Sequence, residues 1–495
     1  KPGESVSVEL DLFANDKAFP VHSVDLDEFS HRRDAITHFV SLFGSQVASL
    51  GSYHITGSAY PTAAVPEREY TTLHTFFDPD AWSLVNALSF SGDRYLERQA
   101  RDVLDRAFSG IRHGLVPHHF DGEEALYVAM SGAEQTGPNI FWTLACLDYA
   151  CATGDAEWFS SRWECGIKPA VHWLIDHRDA DESLLSVTGP LWVDVFRREG
   201  LTFDTNAAMV HLLDRVAHAA ASLNDDEMQS VATSTRDVIL HGLDRLWNGN
   251  DHYVTSIRRD GSIDDHVDSE NFLAVAFEIA DEARSRRILN RLDSEPSTHP
   301  GGRGTWVSAH RYDEQDCYLG NTGDSDCAMA RLWWGDLRAR QVLGDDETFR
   351  RMFEAVREDL LENIWMRERY NSSGQMFRAE AYHEYPGLVD KLLREGMYGL
   401  LIDLDSVLVR PMMRKPFRYS NGRILLEHSQ DAVRLMVPGK GSRHYRVENL
   451  VPHSLYKVNG TTSRASADGA IEFVALAGTP QTLTLETSGS LATPD

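Results

Sequence analysis

Asp194 lies two residues after Trp192, in a stretch that leads into an amphipathic helix with Met209, Leu212 and Val216 on one face. An indole offers an apolar surface on which a sugar ring can stack. Its low polarity raises the pKa of a neighbouring carboxyl towards that of a general acid. The alternative is an ordinary loop aspartate beside a core tryptophan. These residues alone do not distinguish the two interpretations. The choice depends on the secondary-structure elements that position Trp192 and Asp194.

A helical repeat surrounds this stretch. From about residue 79, an apolar helix, a tight turn and a charged amphipathic helix follow one another five times. The turns share a Gly, Asn or Ala followed by Asp, at Gly92-Asp93, Gly154-Asp155, Asn224-Asp225, Ala280-Asp281 and Gly344-Asp345. Gly or Asn takes the left-handed position that ends one helix, and Asp caps the next. The pattern predicts five antiparallel hairpins, with the apolar helix inside and the charged helix outside.

Two further segments complete a closed ring. Residues 31–50 and 396–409 have the patterns of helices, which brings the number of helices to about twelve. Twelve paired helices predict an (α/α)6 barrel, a six-hairpin toroid, and hence a mainly α fold class. An open α-solenoid is the alternative, but solenoid repeats are usually shorter and more uniform.

The connections from each outer helix to the next inner helix are long, and a ring of hairpins places all of them at one rim. They hold aromatic and carboxylate side chains, which neutral sugars require for stacking and for hydroxyl hydrogen bonds. These side chains include His118, Trp192, Asp194, Trp306, Tyr312, Asp324, Glu380, Tyr382 and Glu384. A single loop aromatic usually serves packing, but their common placement predicts a saccharide-binding rim.

After about residue 411 the pattern changes to short alternating strands, separated by turn signals such as Asn459-Gly460 and Asp468-Gly469. This predicts a small antiparallel β domain with a sandwich-like form. The predicted organisation is a lead-in at 1–69 with a strand and a helix, an (α/α)6 barrel catalytic domain at 70–410, and the β domain at 411–495.

Several stretches resemble the six-hairpin glycosidases, the group of glucoamylase, trehalase, the glucosidase of glycogen debranching enzyme and glycoside hydrolase family sixty-three. Residues 191–194 followed by 204–208 are similar to the acid-bearing loop of that group. Residues 114–120 are similar to a segment of its substrate rim, and residues 380–382 to its base loop. The resemblance spans about residues 70–410.

The resemblance implies inverting hydrolysis of a neutral glycosidic linkage, in which one carboxylic acid protonates the glycosidic oxygen and a second carboxylate activates water. It implies Asp194 as the acid and Glu380 as the base. Glu384 is the first alternative for the base, and Asp324 and Asp326 are the next alternatives. Substrate contacts are expected from Trp192, His118, Tyr382, Asn321 and Glu384, with packing or capping as the alternative role. The segment 321–326 lacks the Trp-Pro commonly found there, so the sugar and the linkage stay open.

Other functions on a similar toroid also stay open. A polysaccharide lyase would need positive groups such as Arg197 and Arg198 to neutralise a uronate, and a sugar epimerase would depend on histidines. A phosphorylase would use the acid alone with phosphate, and a non-catalytic toroid would only bind carbohydrate. We expect no cofactor and no metal, because adjacent His118 and His119 point different ways and the acidic segment 264–268 lacks a calcium-loop pattern.

The composition limits the classes of molecule that this protein can bind. The 495 residues carry a formal net charge of −27, which repels nucleic acids and anionic membrane surfaces. An oligosaccharide or glycoside substrate fits this charge, and no apolar run approaches the length of a membrane span. The five cysteines lack metal-ligand spacing and indicate buried thiols, so we expect a cytoplasmic location, with secretion as the alternative. The oligomeric state stays open.

Overall fold

The computed structural model describes residues 75–76, 79–121, 124–128, 131–179, 183–189, 191–295, 303–320, 322–362, 366–378, 382, 384–413 and 415–486. The strand and helix expected at 5–12 and 31–50 lie outside the described residues. Two residues expected at the site, Asn321 and Glu380, also lie outside them.

The described part of the chain is mainly helical, as the sequence predicts. Its α-helices, numbered in chain order, are α1 (Pro79–Ser89), α2 (Arg94–Ser109), α3 (Gly137–Thr153), α4 (Ala156–Arg162), α5 (Lys168–Asp176), α6 (Phe203–Leu223), α7 (Asp226–Leu243), α8 (Phe272–Ala276), α9 (Glu282–Asp293), α10 (Ala330–Leu343), α11 (Asp346–Glu362) and α12 (Glu384–Leu392). A π-helical turn, Trp163–Ile167, joins α4 to α5, and a second, Leu393–Met397, follows α12.

The helices pair in the predicted way. Within the described residues five hairpins are complete, and they join α1 to α2, α3 to α4 and α5, α6 to α7, α8 to α9, and α10 to α11. Helix α12 follows as a sixth inner helix. Helix α3 is buried at all positions except its last, Thr153, whereas α9 buries four of its twelve residues. The first helix of each pair therefore lies inside and the second outside.

The turn chemistry predicted from the sequence is confirmed in four of the five hairpins. Left-handed φ angles of 74°, 70°, 56° and 71° occur at Gly92, Gly154, Asn224 and Gly344. In the fourth hairpin, where Ala280 precedes the Asp, Glu278 takes the left-handed conformation, with φ 55°. In all five hairpins the Asp side chain accepts a hydrogen bond from the backbone N–H three residues on, at Leu96, Trp158, Met228, Arg284 and Thr348.

The long connections at the opposite end form small antiparallel sheets. Their strands are β1 (Thr75–Phe76), β2 (His119–Asp121), β3 (Glu124–Leu126), β4 (Ser186–Thr188), β5 (Glu199–Thr202), β6 (Ser256–Ile257), β7 (Ile263–Asp264), β8 (Thr305–Trp306), β9 (Ala328–Met329), β10 (Arg369–Tyr370) and β11 (Met376–Phe377). The sheets have the orders β1-β2-β3, β4-β5-β6-β7 and β11-β10-β9-β8. Hydrogen-bonded antiparallel strands therefore form much of this rim.

The C-terminal part folds into two sheets. Its strands are β12 (Leu400–Ile402), β13 (Ser406–Val409), β14 (Phe417–Ser420), β15 (Leu425–His428), β16 (Ala432–Met436), β17 (Ser442–Val447), β18 (Leu455–Val458), β19 (Thr461–Arg464), β20 (Ile471–Leu476) and β21 (Gln481–Leu485). One sheet has the order β12-β13-β17-β20 and the other β14-β15-β16-β21-β18-β19. All their pairs are antiparallel except β13 with β17, so the predicted antiparallel β domain is confirmed with one parallel pair.

The helix predicted at 396–409 is wrong. Strands β12 and β13 occupy half of this segment, and they pair with each other. Buried and half-buried residues alternate along β13, which is the period of a strand. Periodicity alone does not distinguish a short apolar run in a buried strand from one in a helix, and that ambiguity explains the error.

The β domain packs against the hairpin-turn end of the barrel. Asn421 donates from its side chain to the Phe90 carbonyl at 2.7 Å, and Arg423 forms an ion pair with Glu97 of α2. A Cβ on Gly92 would lie 1.7 Å from the Asn421 carbonyl oxygen. Gly92 thus provides both a left-handed turn and the space for this contact.

None of the described helices is long and apolar enough to cross a membrane. The five cysteines are all free. The expectation of buried thiols is confirmed for Cys146, Cys151, Cys317 and Cys327 and is wrong for Cys165, which is exposed.

Substitution of the turn glycines tests the contact between the two domains. Gly344→Ala should lower stability by about 1 kcal/mol, because Ala disfavours φ near 71° but has open space at this position. Gly92→Ala should cost clearly more, since its Cβ would also collide with the Asn421 carbonyl. Thermal unfolding midpoints of both variants check this. Equal midpoints would mean that the domain contact at Gly92 does not contribute.

Candidate active site

Asp194 lies in the loop between β4 and β5, at the rim opposite the β domain. Its neighbours Val193 and Val195 are buried, and so is Phe196, so Asp194 is a polar position inside an apolar stretch. The loop is fixed at both ends. The Gly189 N–H donates to the Arg198 carbonyl at 2.6 Å, and the Val195 carbonyl accepts from Tyr318 at 2.7 Å.

An aromatic layer supports this loop from below. The Trp192 ring centroid lies 5.2 Å from that of Phe141 and 6.4 Å from those of Trp82 and Trp334. Trp192 is 1% exposed, so its indole offers no open face to a sugar. The expected stacking contact of Trp192 is therefore corrected to packing, because the inner helices enclose the ring.

Below the loop, one guanidinium joins several parts of the rim. Arg331, in the first turn of α10, contacts Asp80 of α1 at 2.8 Å and Glu384 of α12 at 2.6 Å. It also donates to the Trp192 carbonyl at 3.1 Å. Glu384 is fully buried and accepts from the backbone N–H of Arg331 as well. Burial raises the pKa of Glu384, and the charge of Arg331 opposes that rise.

The carboxyl of Asp194 has the properties of a proton donor. Burial and then the charge of Asp324 raise its pKa to about 6, while Arg369 and Arg331 act in the opposite direction. No described residue hydrogen-bonds this carboxyl, although it is only partly buried. It is therefore held in a site of low polarity and stays open to an incoming group.

A second group of charges lies near Asp194. Arg369 contacts Asp324 at 3.3 Å and Glu368 at 2.7 Å, and Arg378 contacts Asp324 at 3.0 Å. Burial raises the pKa of Glu368, and Asp324 adds to that rise. Asp324 and Glu368 thus place two further carboxylates beside the candidate acid.

Four of the residues expected at the site come together around Arg331. They are Asp194, Trp192, Tyr382 and Glu384. Tyr382 is buried, and its phenol lies close enough to Arg331 to raise the pKa of that guanidinium. The expected substrate contacts of Tyr382 and Glu384 are not open in this arrangement, because the two side chains are 1% and 0% exposed.

His118 takes a different position on the rim. Its ring approaches that of His119, with 3.0 Å between the two Nδ1 atoms, and its backbone N–H donates to Leu126. Burial and the charge of His119 lower the pKa of His118 to about 3, so the imidazole is neutral. Its role as a substrate contact stays a prediction, and so do the roles of Asn321 and Glu380.

Several site residues were not predicted from the sequence. Arg331 and Asp80 are each the second residue of an inner helix, and Glu368 and Arg369 follow an outer helix. A charged residue in the first turn of an inner helix was an available signal for Asp80 and Arg331. Nothing local distinguished Glu368 from other acidic residues of the same connection.

A second buried network fixes the neighbouring part of the rim. Arg198 contacts Asp268 at 2.7 Å, Glu270 at 3.2 Å and the Tyr312 hydroxyl at 2.7 Å. Arg198 is 1% exposed, so its charge is fully engaged inside the protein. Within the described part of the chain, no group of three His, Cys, Asp or Glu side chains has the geometry to hold a metal ion.

Comparison with solved structures gives the same fold at low sequence identity. A GH78 family rhamnosidase of a Bacillus species matches with a TM-score of 0.52 and 16% identity, over 73% of this chain and 36% of that chain. The GH63 mannosylglycerate hydrolase of Thermus thermophilus, in complex with Tris, matches with a TM-score of 0.50 and 12% identity, over 62% of this chain and 91% of that chain. In complex with glucose the same hydrolase matches with a TM-score of 0.50 and 13% identity, over 62% of this chain and 90% of that chain.

This chain therefore spans about a third of the length of the rhamnosidase. No protein-family model matches the chain, and the comparison with curated proteins also gives no match. At such identities the likeness concerns the fold. It confirms the predicted (α/α)6 barrel.

The raised pKa of Asp194 predicts a gain in stability when its charge is removed. A native pKa of about 6, above the unfolded value of about 3.9, means that the native state holds the proton more tightly. The wild type therefore loses stability as the pH rises from about 4 to about 6. Asp194→Asn should be more stable than wild type at pH 8 by about 2–3 kcal/mol, and the difference should vanish near pH 4.

Thermal and urea unfolding at several pH values measure this difference. Glu199→Gln serves as the control, since Glu199 is an exposed carboxylate near the same loop and should show no such pH dependence. A variant Asp194→Asn that is no more stable than wild type at pH 8 would contradict the description of Asp194 as an acid whose charge destabilises the native state.

Proposed function

We propose that this chain is a glycoside hydrolase that cleaves a neutral glycosidic linkage with inversion, with Asp194 as the general acid and Glu380 as the general base. The observation that carries the proposal is the carboxyl of Asp194. It is the rim carboxyl with a pKa of about 6, it bears no internal hydrogen bond among the described residues, and it stands on an aromatic layer. A general acid requires this combination, because it must keep its proton near neutral pH and deliver it to an incoming oxygen.

The assignment of the base rests on position in the chain. Glu380 belongs to the connection that leads into the inner helix α12, as Asp194 belongs to the connection that leads into α6. Glu384, the rival base, is fully buried and bonded to Arg331, which supports a structural role for it. Asp324 and Glu368 are the alternative bases at the same rim. An inverting pair requires a separation of roughly 6.5 to 9.5 Å to admit water.

Two alternative enzyme classes receive less support. A polysaccharide lyase needs a free cation for a uronate. Arg198 is buried between Asp268 and Glu270, so of the two arginines expected for a lyase only the exposed Arg197 is open to a uronate. Burial holds the pKa of His118 at about 3, so this histidine does not supply the proton exchange near neutral pH that a sugar epimerase needs. Both observations favour a carboxylate mechanism.

The structural relatives guide the choice of substrates. One is named a rhamnosidase and the other a mannosylglycerate hydrolase, so aryl rhamnosides and aryl mannosides belong in the test panel with neutral oligosaccharides. The net charge of −27 supports a neutral saccharide as the substrate.

Proton NMR of the first-formed product tests the reaction and both roles. Wild type should release a sugar of inverted anomeric configuration, and Glu380→Gln should lose about a thousandfold or more of turnover on every substrate. Asp194→Asn should lose activity on alkyl glycosides but keep much more on dinitrophenyl glycosides, whose leaving group needs no proton. Glu199→Gln is the matched control and should be unaffected.

The outcomes separate the assignments. A retained anomeric configuration would exclude inversion, and an active Glu380→Gln variant would move the base to Asp324 or Glu368. If Asp194→Asn lost activity equally with both leaving groups, Asp194 would not be the acid. Binding of saccharide without turnover would favour the non-catalytic toroid.

The pH profile gives an independent test. Because the acid must be protonated, kcat/KM should fall as the pH rises through about 6, the pKa of Asp194. Dinitrophenyl glycosides should lack this alkaline limb, since their cleavage needs no acid. Steady-state kinetics on both substrate types between about pH 4 and about pH 9 measure it. An alkaline limb of equal size for both would contradict the role of Asp194.

A further inference from the structure

A cavity of about 640 Å³ lies at the end of the barrel remote from Asp194. It is lined by the inner helices α6 and α10, by the residues that follow α1, α8 and α12, and by strands of the sheet that contains β12, β13, β17 and β20. Its volume is within the range of sites that enclose small organic ligands, roughly 300 to 1,000 Å³. The cavity is therefore a separate compartment between the barrel and the β domain.

The cavity has a buried floor and an open, charged mouth. Trp334 and Arg394 at the floor are 3% and 1% exposed, whereas the side chains of Asp214 and Glu472 at the mouth are 45% and 68% exposed. Trp334 also packs against Trp192, so the aromatic layer below the Asp194 loop separates the cavity from the rim. A ligand would enter from the side of the β domain.

Most cations of the cavity already have carboxylate partners. Arg215 contacts Asp148 and Asp403, and Lys391 contacts Glu395 at 2.7 Å. The remaining paired cations and their partners are Arg394 with Glu395, Arg236 with Asp214, and Arg446 with Glu472. These groups offer little net charge to a ligand.

Arg338 differs from these cations. Its guanidinium donates to the side-chain oxygen of Gln341, and no carboxylate of the described residues lies within ion-pair distance of it. Burial lowers the pKa of Arg338, and the more distant charges of Glu395 and Glu278 only partly oppose that effect. A half-buried guanidinium without a carboxylate in ion-pair contact is an available partner for an anion, because its fixed fork matches carboxylate and phosphate oxygens.

Aromatic rings form the wall beside Arg338. The His211 and Phe277 rings stack with 4.3 Å between their centroids, and Phe277 approaches Trp334 at 6.1 Å. Burial and the charges of Arg215 and Lys391 lower the pKa of His211 well below its usual value, so this ring is neutral. The wall thus presents flat, uncharged aromatic surface suited to an apolar or aromatic ligand body.

We propose that this cavity binds a small organic anion, with its carboxylate or phosphate group on Arg338 and its apolar body against the half-buried rings of His211 and Phe277. The site is independent of Asp194 and of the proposed hydrolysis. It would give the protein a second ligand, which binds at the junction of the barrel and the β domain.

Calorimetric titration of the full chain with benzoate and with phenyl phosphate tests the proposal. Both probes carry an aromatic body, and they distinguish a carboxylate from a phosphate as the preferred anion. Wild type should bind at least one of them at one site, and benzamide, the neutral analogue of benzoate, should bind about tenfold or more weakly. Asp194→Asn should bind the probes as wild type does, which separates this site from the proposed hydrolysis.

Variants identify the anchor. Arg338→Met should weaken binding about tenfold or more, and Arg338→Lys should restore part of it. Arg236→Gln is the matched control, because Arg236 lines the same cavity with its charge already paired, and it should change affinity less than about twofold. The thermal unfolding midpoint of each variant confirms that it is folded. No binding of either probe to wild type, equal binding of benzamide, or unchanged affinity in Arg338→Met would each overturn the proposal.

Discussion

The ion pairs of Arg331 are the constraint on which the rim depends. Removing either partner of such a buried pair leaves an uncompensated charge, which typically destabilises a protein by about 3–5 kcal/mol. Asp80, Arg331 and Glu384 begin three different inner helices, so these helices cannot shift relative to one another without separating buried charges. The same guanidinium holds the Trp192 carbonyl, which ties the Asp194 loop to the barrel axis.

The carboxyl groups of Asp148 and Asp194, at opposite ends of the barrel, have pKa values shifted in opposite directions. Contact with cations explains this difference better than burial does. Burial alone would raise the pKa of Asp148, yet Arg215 and then Lys391 outweigh that effect and lower this pKa well below its usual range. Asp148 also accepts hydrogen bonds from Asn86 and Trp82. Asp194 has no such donors among the described residues and keeps a raised pKa. One carboxylate is thus a fixed structural anion and the other is a group that can exchange a proton.

Local signals made much of the fold predictable. Two adjacent residues, a Gly or Asn that takes the left-handed conformation and an Asp that caps the next helix, predict the turn of a hairpin. This local pattern was sufficient to predict the positions of the hairpins. The strands at 400–409 were missed because a short apolar run fits either a strand or a helix until its pairing partner is known. The partners of Arg331 lie 251 and 53 residues away, and no local pattern encodes that distance. The burial of Trp192 was equally inaccessible, because it is decided by rings on other helices.

The common direction of the inner helices explains where these charges stand. All of them begin at the rim, where helix dipoles favour negative groups, and Asp80, Asp204 and Glu384 lie in their first turns. Lys391 and Arg340 lie in last turns, at the end where the dipoles favour cations. A carboxylate pair for hydrolysis is therefore electrostatically compatible with the rim, whereas Lys391 and Arg340 are stabilised at the far end. The direction of the helices thus distinguishes a rim that favours carboxylates from a far end that favours cations within one barrel.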